Sequence, residues 1–333
     1  MKNWRFWLGI CVSALCLYLA ARGMDVRSLL QALRRVHYWL LAPALALVVL
    51  GLWLRALRWR LLLHPLTGLR LARLYNVTSI GYFFNSVLPF RAGDVLRSYL
   101  LAELEQLDIA RVLSTVVVER IADTLTILFL LLVLVPFVAL PSALVRPVLG
   151  IALVAGLVAA LLLWLAARGR RSLQWVDDLL QRFALLNRPW LRRSLAAALQ
   201  GVSALGSWQL ALAASGWSAA IWLLATAQLY VIMWAAGLHL PLVAALAVIC
   251  LTSLGMTVPS SPGYVGVFEY LTVLALGLFG VPREAALGYA LLAHALGYLG
   301  LIVPGLIAMG VEGFSYTSLH ARLRQAGDRA SPA

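Results

Sequence analysis

Six apolar runs, each close to the length that crosses a hydrocarbon layer, limit what this chain can fold into. They lie at roughly 5–21, 38–54, 112–139, 145–167, 216–237 and 285–310. A membrane-spanning helix needs about 20 consecutive apolar residues, and within lipid the backbone must satisfy its own hydrogen bonds. The expected architecture is an all-α polytopic membrane protein. Composition agrees: 63% of residues are hydrophobic and 12% charged, against about 25% charged in an ordinary soluble domain. The opening "MKNWRFWLGICVSALCLYLA" has the basic end and apolar run of a signal peptide. Because further spans follow, it reads as an uncleaved first span.

Arginine sets the orientation. The net charge is +14 and Lys2 is the sole lysine. Arginines gather in three stretches: Arg55, Arg58, Arg60, Arg70 and Arg73; then seven within 168–193; then Arg322, Arg324 and Arg329 in the tail 311–333. Cytoplasmic loops carry such an excess, so all three stretches and both termini are expected in the cytoplasm. The expected partners of this basic balance are membrane lipid phosphates rather than nucleic acid. The linker 168–193 includes apolar residues at helical spacing and reads as an amphipathic surface helix. For 194–214 a surface helix, a separate hairpin and part of a long tilted span all remain open.

Parity then constrains the rest. For both flanking loops to stay cytoplasmic, residues 74–104 must enter and return on that side, as a re-entrant hairpin broken near Pro89 and Gly93, residues that disfavour a continuous helix. By the same count residues 242–280 must enter and return from the outside. Their break lies in "VPSSPGYVGVFEYL", with Pro259, Ser260, Ser261, Pro262, Gly263 and Gly266. The loop 22–36, with four arginines on the outer side, runs against the charge rule. Pro89 aligns with Pro262, and Gly93 with Gly266, at one constant offset; after one residue of slippage Arg120 lies over His294. The expectation is therefore an inverted repeat with units 38–139 and 216–310, comprising about six full spans and two oppositely directed hairpins.

The first unit concentrates charge: Arg91, Asp94, Arg97, Glu119, Arg120 and Asp123. A charge at the centre of a spanning helix costs about 2.5–3.5 kcal/mol on insertion scales, so these six must pair or line a wet cavity. Two readings stand. In one they form an internal ion network that locks the hairpin to span 112–139. In the other Arg91, Arg97 and Arg120 hold a lipid phosphate, for which the planar guanidinium fork is suited, while Asp94, Glu119 and Asp123 position them. Glu269 reads either as an arginine partner or, with His294, as part of a proton relay. Asn85 is expected to satisfy backbone groups freed at the break.

Enzyme signatures are sparse. A P-loop needs a lysine after its glycines, which Lys2 cannot supply, and the five histidines do not cluster. The three cysteines imply neither a metal site nor a disulfide framework. No cofactor and no catalytic residue is expected.

Three motifs carry a family resemblance. They are Asn85, Leu88, Pro89, Arg91, Ala92, Gly93, Asp94 and Arg97; then Glu119, Arg120 and Asp123; then Pro259, Pro262, Gly263, Gly266 and Glu269. Together they resemble the transmembrane region of lysylphosphatidylglycerol synthase and, more broadly, flippase-like membrane proteins, over about residues 5–315. The resemblance implies movement of a phospholipid or polyprenyl-phosphate lipid between leaflets of a bacterial inner membrane. In the synthases an aminoacyl-transferring domain follows the membrane part; with the sequence ending at Ala333, that activity is not expected to carry over. The alternative is a membrane-embedded enzyme or accessory subunit in lipid-linked synthesis, and a homo-oligomer or a lipid-modifying enzyme is the expected protein partner.

Overall fold

The apolar runs form helices, as an environment without hydrogen-bonding solvent requires. The structure, a computed structural model, describes residues 4–63, 68–88, 91–138, 208–256 and 260–314, with helical positions at 150, 153 and 156–157. The expected span 145–167, the linker 168–193 and the tail beyond residue 314 fall largely or wholly outside the described residues. In chain order the main helices are α1 (Trp4–Ala21), α2 (Val26–Arg34), α3 (Leu41–Leu62), α4 (Leu71–Val87), α5 (Ala92–Leu104), α6 (Ile109–Leu134), α7 (Trp208–Ala235), α8 (Leu242–Gly255), α9 (Val267–Gly277) and α10 (Arg283–Val311). No strand occurs among the described residues.

Four helical segments are long and apolar enough to cross a membrane: 38–62, 109–137, 212–235 and 283–311. A fifth is available if α1 and α2, bent by 84° at their junction, count as one. Of the six expected full spans, the one at 145–167 falls largely outside the described residues, and the other five stretches hold these four or five candidates. The stretch 22–36 is not a plain loop. Asp25 caps α2 by accepting from the amides of Arg27 and Ser28 at 3.1 Å each, and Leu29, Ala32 and Leu33 lie against Gly288 of α10. Residues 208–214 belong to the long helix α7.

The largest correction concerns α3. The apolar run was expected to end near residue 54, leaving Arg55 and Arg58 in a cytoplasmic loop. The helix instead continues to Leu62, and Arg58 and Trp59 are fully buried. A run that ends in polar residues need not end the helix, because arginine is a good helix former and buried carboxylates can pair with it.

Packing places the two helical pairs at opposite ends of the bundle. The ends of α4 and α5, at Leu74, Leu100 and Leu101, share a cluster with Trp59, Leu63 and Met309. The ends of α8 and α9, at Ala244 and Leu276, share another with Ala44, Ile232 and Tyr289. Since Ala44 and Leu63 mark the two ends of α3, the pairs open in opposite directions. α3 packs along α7, α4 along α10, and α8 against α6. Polar ties hold the first open end: Arg73 of α4 binds Glu105 at 2.8 Å, and Asn76 donates to Glu312 at 2.7 Å.

Candidate functional site

The break between α4 and α5 is held by an unusual backbone. Arg91 precedes α5 with φ 53° and ψ 37°, a left-handed conformation that L residues other than glycine rarely adopt. Gly93 does not lie in the break. It sits in the first turn of α5, where an added Cβ would fall 2.0 Å from the Gly81 carbonyl oxygen. Its role is to let α5 lie on α4. Asn85, expected to serve freed backbone groups, instead donates from Nδ2 to Asp94 at 3.2 Å. Pro89 and Pro259 lie outside the described residues.

The charges assemble into one network around α6. Arg97 is fully buried, contacts Glu119, and stacks its guanidinium 4.7 Å from the centre of the Trp59 ring. Arg58, also fully buried, contacts Asp123 through both terminal nitrogens, lies 3.7 Å from Glu119 and donates to Ser218 at 2.8 Å. Arg120 reaches Asp94 at 3.2 Å and Asp123 at 3.5 Å. Trp222 of α7 donates to Asp123 at 3.2 Å. Tyr82 stands among the arginines: its hydroxyl accepts from Arg55 at 3.0 Å and from Arg120 at 3.1 Å.

Beside this network lies a cavity of about 280 Å³, bounded by α3, α4, α7, α8, α10 and both breaks. Its walls are mostly apolar, as ligand sites usually are. Of the three arginines expected to bind phosphate, only Arg91 lines it; Arg97 and Arg120 do not. Arg97 is neutralised inside the bundle, and Arg120 is held by two carboxylates. Arg55 is the second cavity cation. It donates to Tyr82 and to the Gly51 carbonyl, and no described carboxylate pairs with it. Arg91 has one carboxylate partner, Asp94, at 3.8 Å, and its side chain is 45% exposed. Five arginines, Arg55, Arg58, Arg91, Arg97 and Arg120, thus stand against three carboxylates, Asp94, Glu119 and Asp123. The surplus of positive charge sits at the cavity wall, where weak screening strengthens attraction for an anion.

The second break forms the facing wall. Pro262 begins a short 3-10 turn to Tyr264. Gly263 is left-handed, at φ 73°, and an added Cβ there would fall 1.4 Å from the Tyr298 hydroxyl. Tyr264, like Arg91, is a non-glycine residue with positive φ, at 61°. Glu269 pairs with His294 rather than with an arginine, and its other oxygen accepts from the Gly266 amide at 2.6 Å. The other ring nitrogen of His294 faces the Gly263 carbonyl at 3.1 Å. Ser261 is occupied: its amide donates to Ser13 of α1 at 2.9 Å. The Ser260 hydroxyl is buried and has no hydrogen-bond partner among the described residues.

With this arrangement in view, the chain matches, over residues 6–305, the family described as Lysylphosphatidylglycerol synthase TM region. The chain belongs to that family. It is similar to a UPF0104 membrane protein of Methanothermobacter thermautotrophicus, 23% identical over 305 residues, which cover 86% of this chain and 89% of that protein. It is also similar to a protein of Haloferax volcanii named Glycosyltransferase AglD, 27% identical over 354 aligned positions. That alignment takes in 96% of this chain but 56% of the archaeal protein, so this chain spans little more than half of that relative.

Within this family member, the sequence motifs mark the ion network and both breaks, but they miss part of the cavity. Arg55 and Arg58 were hidden because they continue an apolar run into what reads as a basic loop. Their fourfold approach to α7, with Gly51, Arg55, Arg58 and Leu62 on one side of α3, was the available signal. Tyr82, Ser218 and Trp222 carry no charge pattern and gave none. Among the described residues no group of three histidines, cysteines or carboxylates is placed to hold a metal ion.

Proposed function

We propose that this chain moves an anionic, phosphate-bearing lipid between the two leaflets of a cytoplasmic membrane. The observation that carries this reading is the apolar cavity where the two chain breaks meet, with two cations on its wall: Arg55, with which no described carboxylate pairs, and Arg91, whose one carboxylate partner lies 3.8 Å away. An isolated charge facing hydrocarbon is expensive, whereas a phosphate at the wall would satisfy both guanidiniums through charged hydrogen bonds. The acyl or isoprenyl tails remain in the bilayer.

In this reading the membrane part is an inverted repeat. Unit one is α3 to α6 and unit two is α7 to α10, each a long helix, a re-entrant pair and a long helix. Three features support it: the pairs open at opposite ends, the breaks meet, and the left-handed Arg91 occupies the position of the left-handed Tyr264 at the offset that aligns Pro89 with Pro262. Both termini are cytoplasmic, and the two pairs gate opposite faces. Arg58, Arg97 and Arg120 hold the scaffold with Glu119, Asp123 and Asp94, while Glu269 and His294 form the proton-carrying pair beside the second gate.

The decisive measurement is transport of a labelled phospholipid by the full chain in proteoliposomes. Arg55→Ala together with Arg91→Ala should lower the rate at least about tenfold, the loss of one charge-assisted bond of roughly 1.5–3 kcal/mol. A wild-type rate in that variant would end the proposal. A second reading, an enzyme or an accessory subunit in lipid-linked synthesis, draws on the name of the Haloferax relative. It predicts that purified protein changes the mass of a lipid-linked substrate, an outcome that transport does not produce.

A further inference from the structure

The turn between α8 and α9 is tied down at both ends by one pair of side chains. His294 of α10 contacts Glu269 of α9 through Nδ1, and its Nε2 lies 3.1 Å from the Gly263 carbonyl oxygen. The second carboxylate oxygen of Glu269 accepts from the Gly266 amide at 2.6 Å. The backbone held in this way is unfavourable in itself. Gly263, Tyr264 and Gly266 all have positive φ, at 73°, 61° and 89°, and a tyrosine rarely adopts that conformation. The turn is also closely packed. A Cβ on Gly263 would fall 1.4 Å from the Tyr298 hydroxyl and 3.1 Å from the Ser86 carbonyl oxygen, so the turn lies against both α10 and the end of α4.

The hydrogen bonds fix how many protons the pair must hold. A carbonyl oxygen only accepts, so the Nε2 that faces Gly263 carries a proton. A neutral imidazole has one N–H, which leaves Nδ1 with a bare lone pair toward Glu269. That contact is attractive only with a further proton between Nδ1 and the carboxyl oxygen. The proton belongs to the pair, whether it rests on the ring or on the acid. The other carboxyl oxygen has no room for it, because it already accepts from Gly266. The arrangement therefore holds one proton more than a neutral histidine and a carboxylate, and the pair has no net charge. When that proton leaves to water, the pair carries one negative charge and a single N–H is left for two acceptors. The carboxylate is the stronger acceptor. Nδ1 keeps the remaining proton, the bare Nε2 repels the Gly263 carbonyl, and that end of the turn is released.

The proton has a way out, since His294 is among the residues lining the cavity and its side chain is 13% exposed. The other titratable or charged groups around the pair are few. Tyr298 of α10 stacks on the His294 ring with centres 4.6 Å apart. Tyr264 of the turn, Tyr82 of α4, Arg55 of α3 and Arg91 line the same cavity. From α9 comes Phe268, 4.7 Å from His294 between ring centres, and from α1 Ser13 and Leu17 lie against Gly266; none of these three titrates.

We propose that one proton shared by Glu269 and His294 latches the α8–α9 turn against α10 and α4, and that its release frees the turn, so that opening at this break is coupled to proton movement. The inference deepens the reading above, which sets this pair beside the second gate, and it does not use the arginine site. The sign follows from linkage: the latched state binds the extra proton, so the latch holds at low pH and is lost as pH rises.

The test is hydrogen exchange of the full chain in phosphatidylcholine nanodiscs, followed by mass spectrometry from about pH 5 to about pH 9, a range that brackets histidine titration. Protection of a peptide covering 261–266 is expressed against the intrinsic exchange rate at each pH, and a peptide from α8 reports any general loosening. In the wild type the turn should lose protection at least about tenfold as pH rises, the effect of one charge-assisted hydrogen bond, while α8 stays constant. Glu269→Gln reproduces the protonated acid: its amide N–H can donate to Nδ1 while its oxygen accepts from Gly266. That variant should stay protected across the whole range. His294→Phe keeps a ring beside Phe268 and Tyr298 but has no N–H, and should be poorly protected at every pH.

A flat wild-type profile overturns the latch. So does a Glu269→Gln variant that loses protection with pH as the wild type does, or a His294→Phe variant as well protected as the wild type at low pH. None of these outcomes touches the phosphate site. Conversely, a wild-type transport rate in the Arg55→Ala, Arg91→Ala variant ends the phosphate reading, and the latch then still stands on its own exchange profile.

Discussion

Arg58→Met removes a cation from the centre of the ion network while keeping most of the unbranched stem. Read as part of a basic loop, Arg58 would be dispensable; in the structure it is fully buried, contacts Asp123 through two nitrogens, and lies 3.7 Å from Glu119. Breaking a buried pair from one side typically costs about 3–5 kcal/mol, because the partner stays behind unpaired. Asp123 keeps Arg120 at 3.5 Å and the Trp222 indole at 3.2 Å, which places the expectation near the lower end, about 3 kcal/mol. With a shift of about 2–4 °C per kcal/mol for a sizeable domain, the apparent melting temperature should fall by roughly 6 °C or more. Tryptophan fluorescence of the detergent-solubilised protein, at one fixed scan rate, reads this. The double variant Arg58→Met with Asp123→Leu removes both charges and should melt above the single variant, since replacing both partners by apolar groups is often close to neutral. A single variant melting within about 1 °C of wild type, or a double variant melting below it, would refute the placement of Arg58 in the network.

Two further outcomes follow from local geometry. Gly93→Ala should destabilise by about 1–3 kcal/mol, the usual cost of overpacking, since its Cβ must move away from the Gly81 carbonyl; Gly277→Ala, where nothing lies within 4 Å, should melt like wild type in the same assay. Asp25, which caps α2 outside the four unbroken spans, has its carboxyl pKa held below the ordinary 3.8 by bonds from the Ser28 hydroxyl and the amides of Arg27 and Ser28. A depressed acid stabilises above its unfolded pKa and loses that effect as pH falls through the folded value, so hydrogen-exchange protection of these amides should hold from neutral pH down to about 4 and decline only below it, whereas Asp25→Ala should lose protection at every pH.

Much of this protein was legible in its sequence because the bilayer leaves few options. Runs of apolar residues at spanning length had to be helices, and Arg91, Asp94, Arg97, Glu119, Arg120 and Asp123 had to find partners, since no solvent in the membrane core would pay their desolvation. Period alone also brought Glu119 and Asp123 to one face of α6. The sequence motifs could not say which arginine was spent on pairing and which faced open space, because that depends on helices far apart in the chain. Arg97 and Arg120, both prominent in the motif, are consumed by Glu119, Asp94 and Asp123. Arg55, in no motif, is brought to the cavity by the packing of α3 on α7 and by the small residue Gly51 beneath its guanidinium. Gly93 shows the same division: its identity announced a special backbone position, but only the contact with Gly81 revealed that it serves close packing rather than the break. Charge and hydrophobicity are properties of the chain and fix its class; the balance of charge within one cavity is a property of the assembled helices, and the tertiary structure alone determines it.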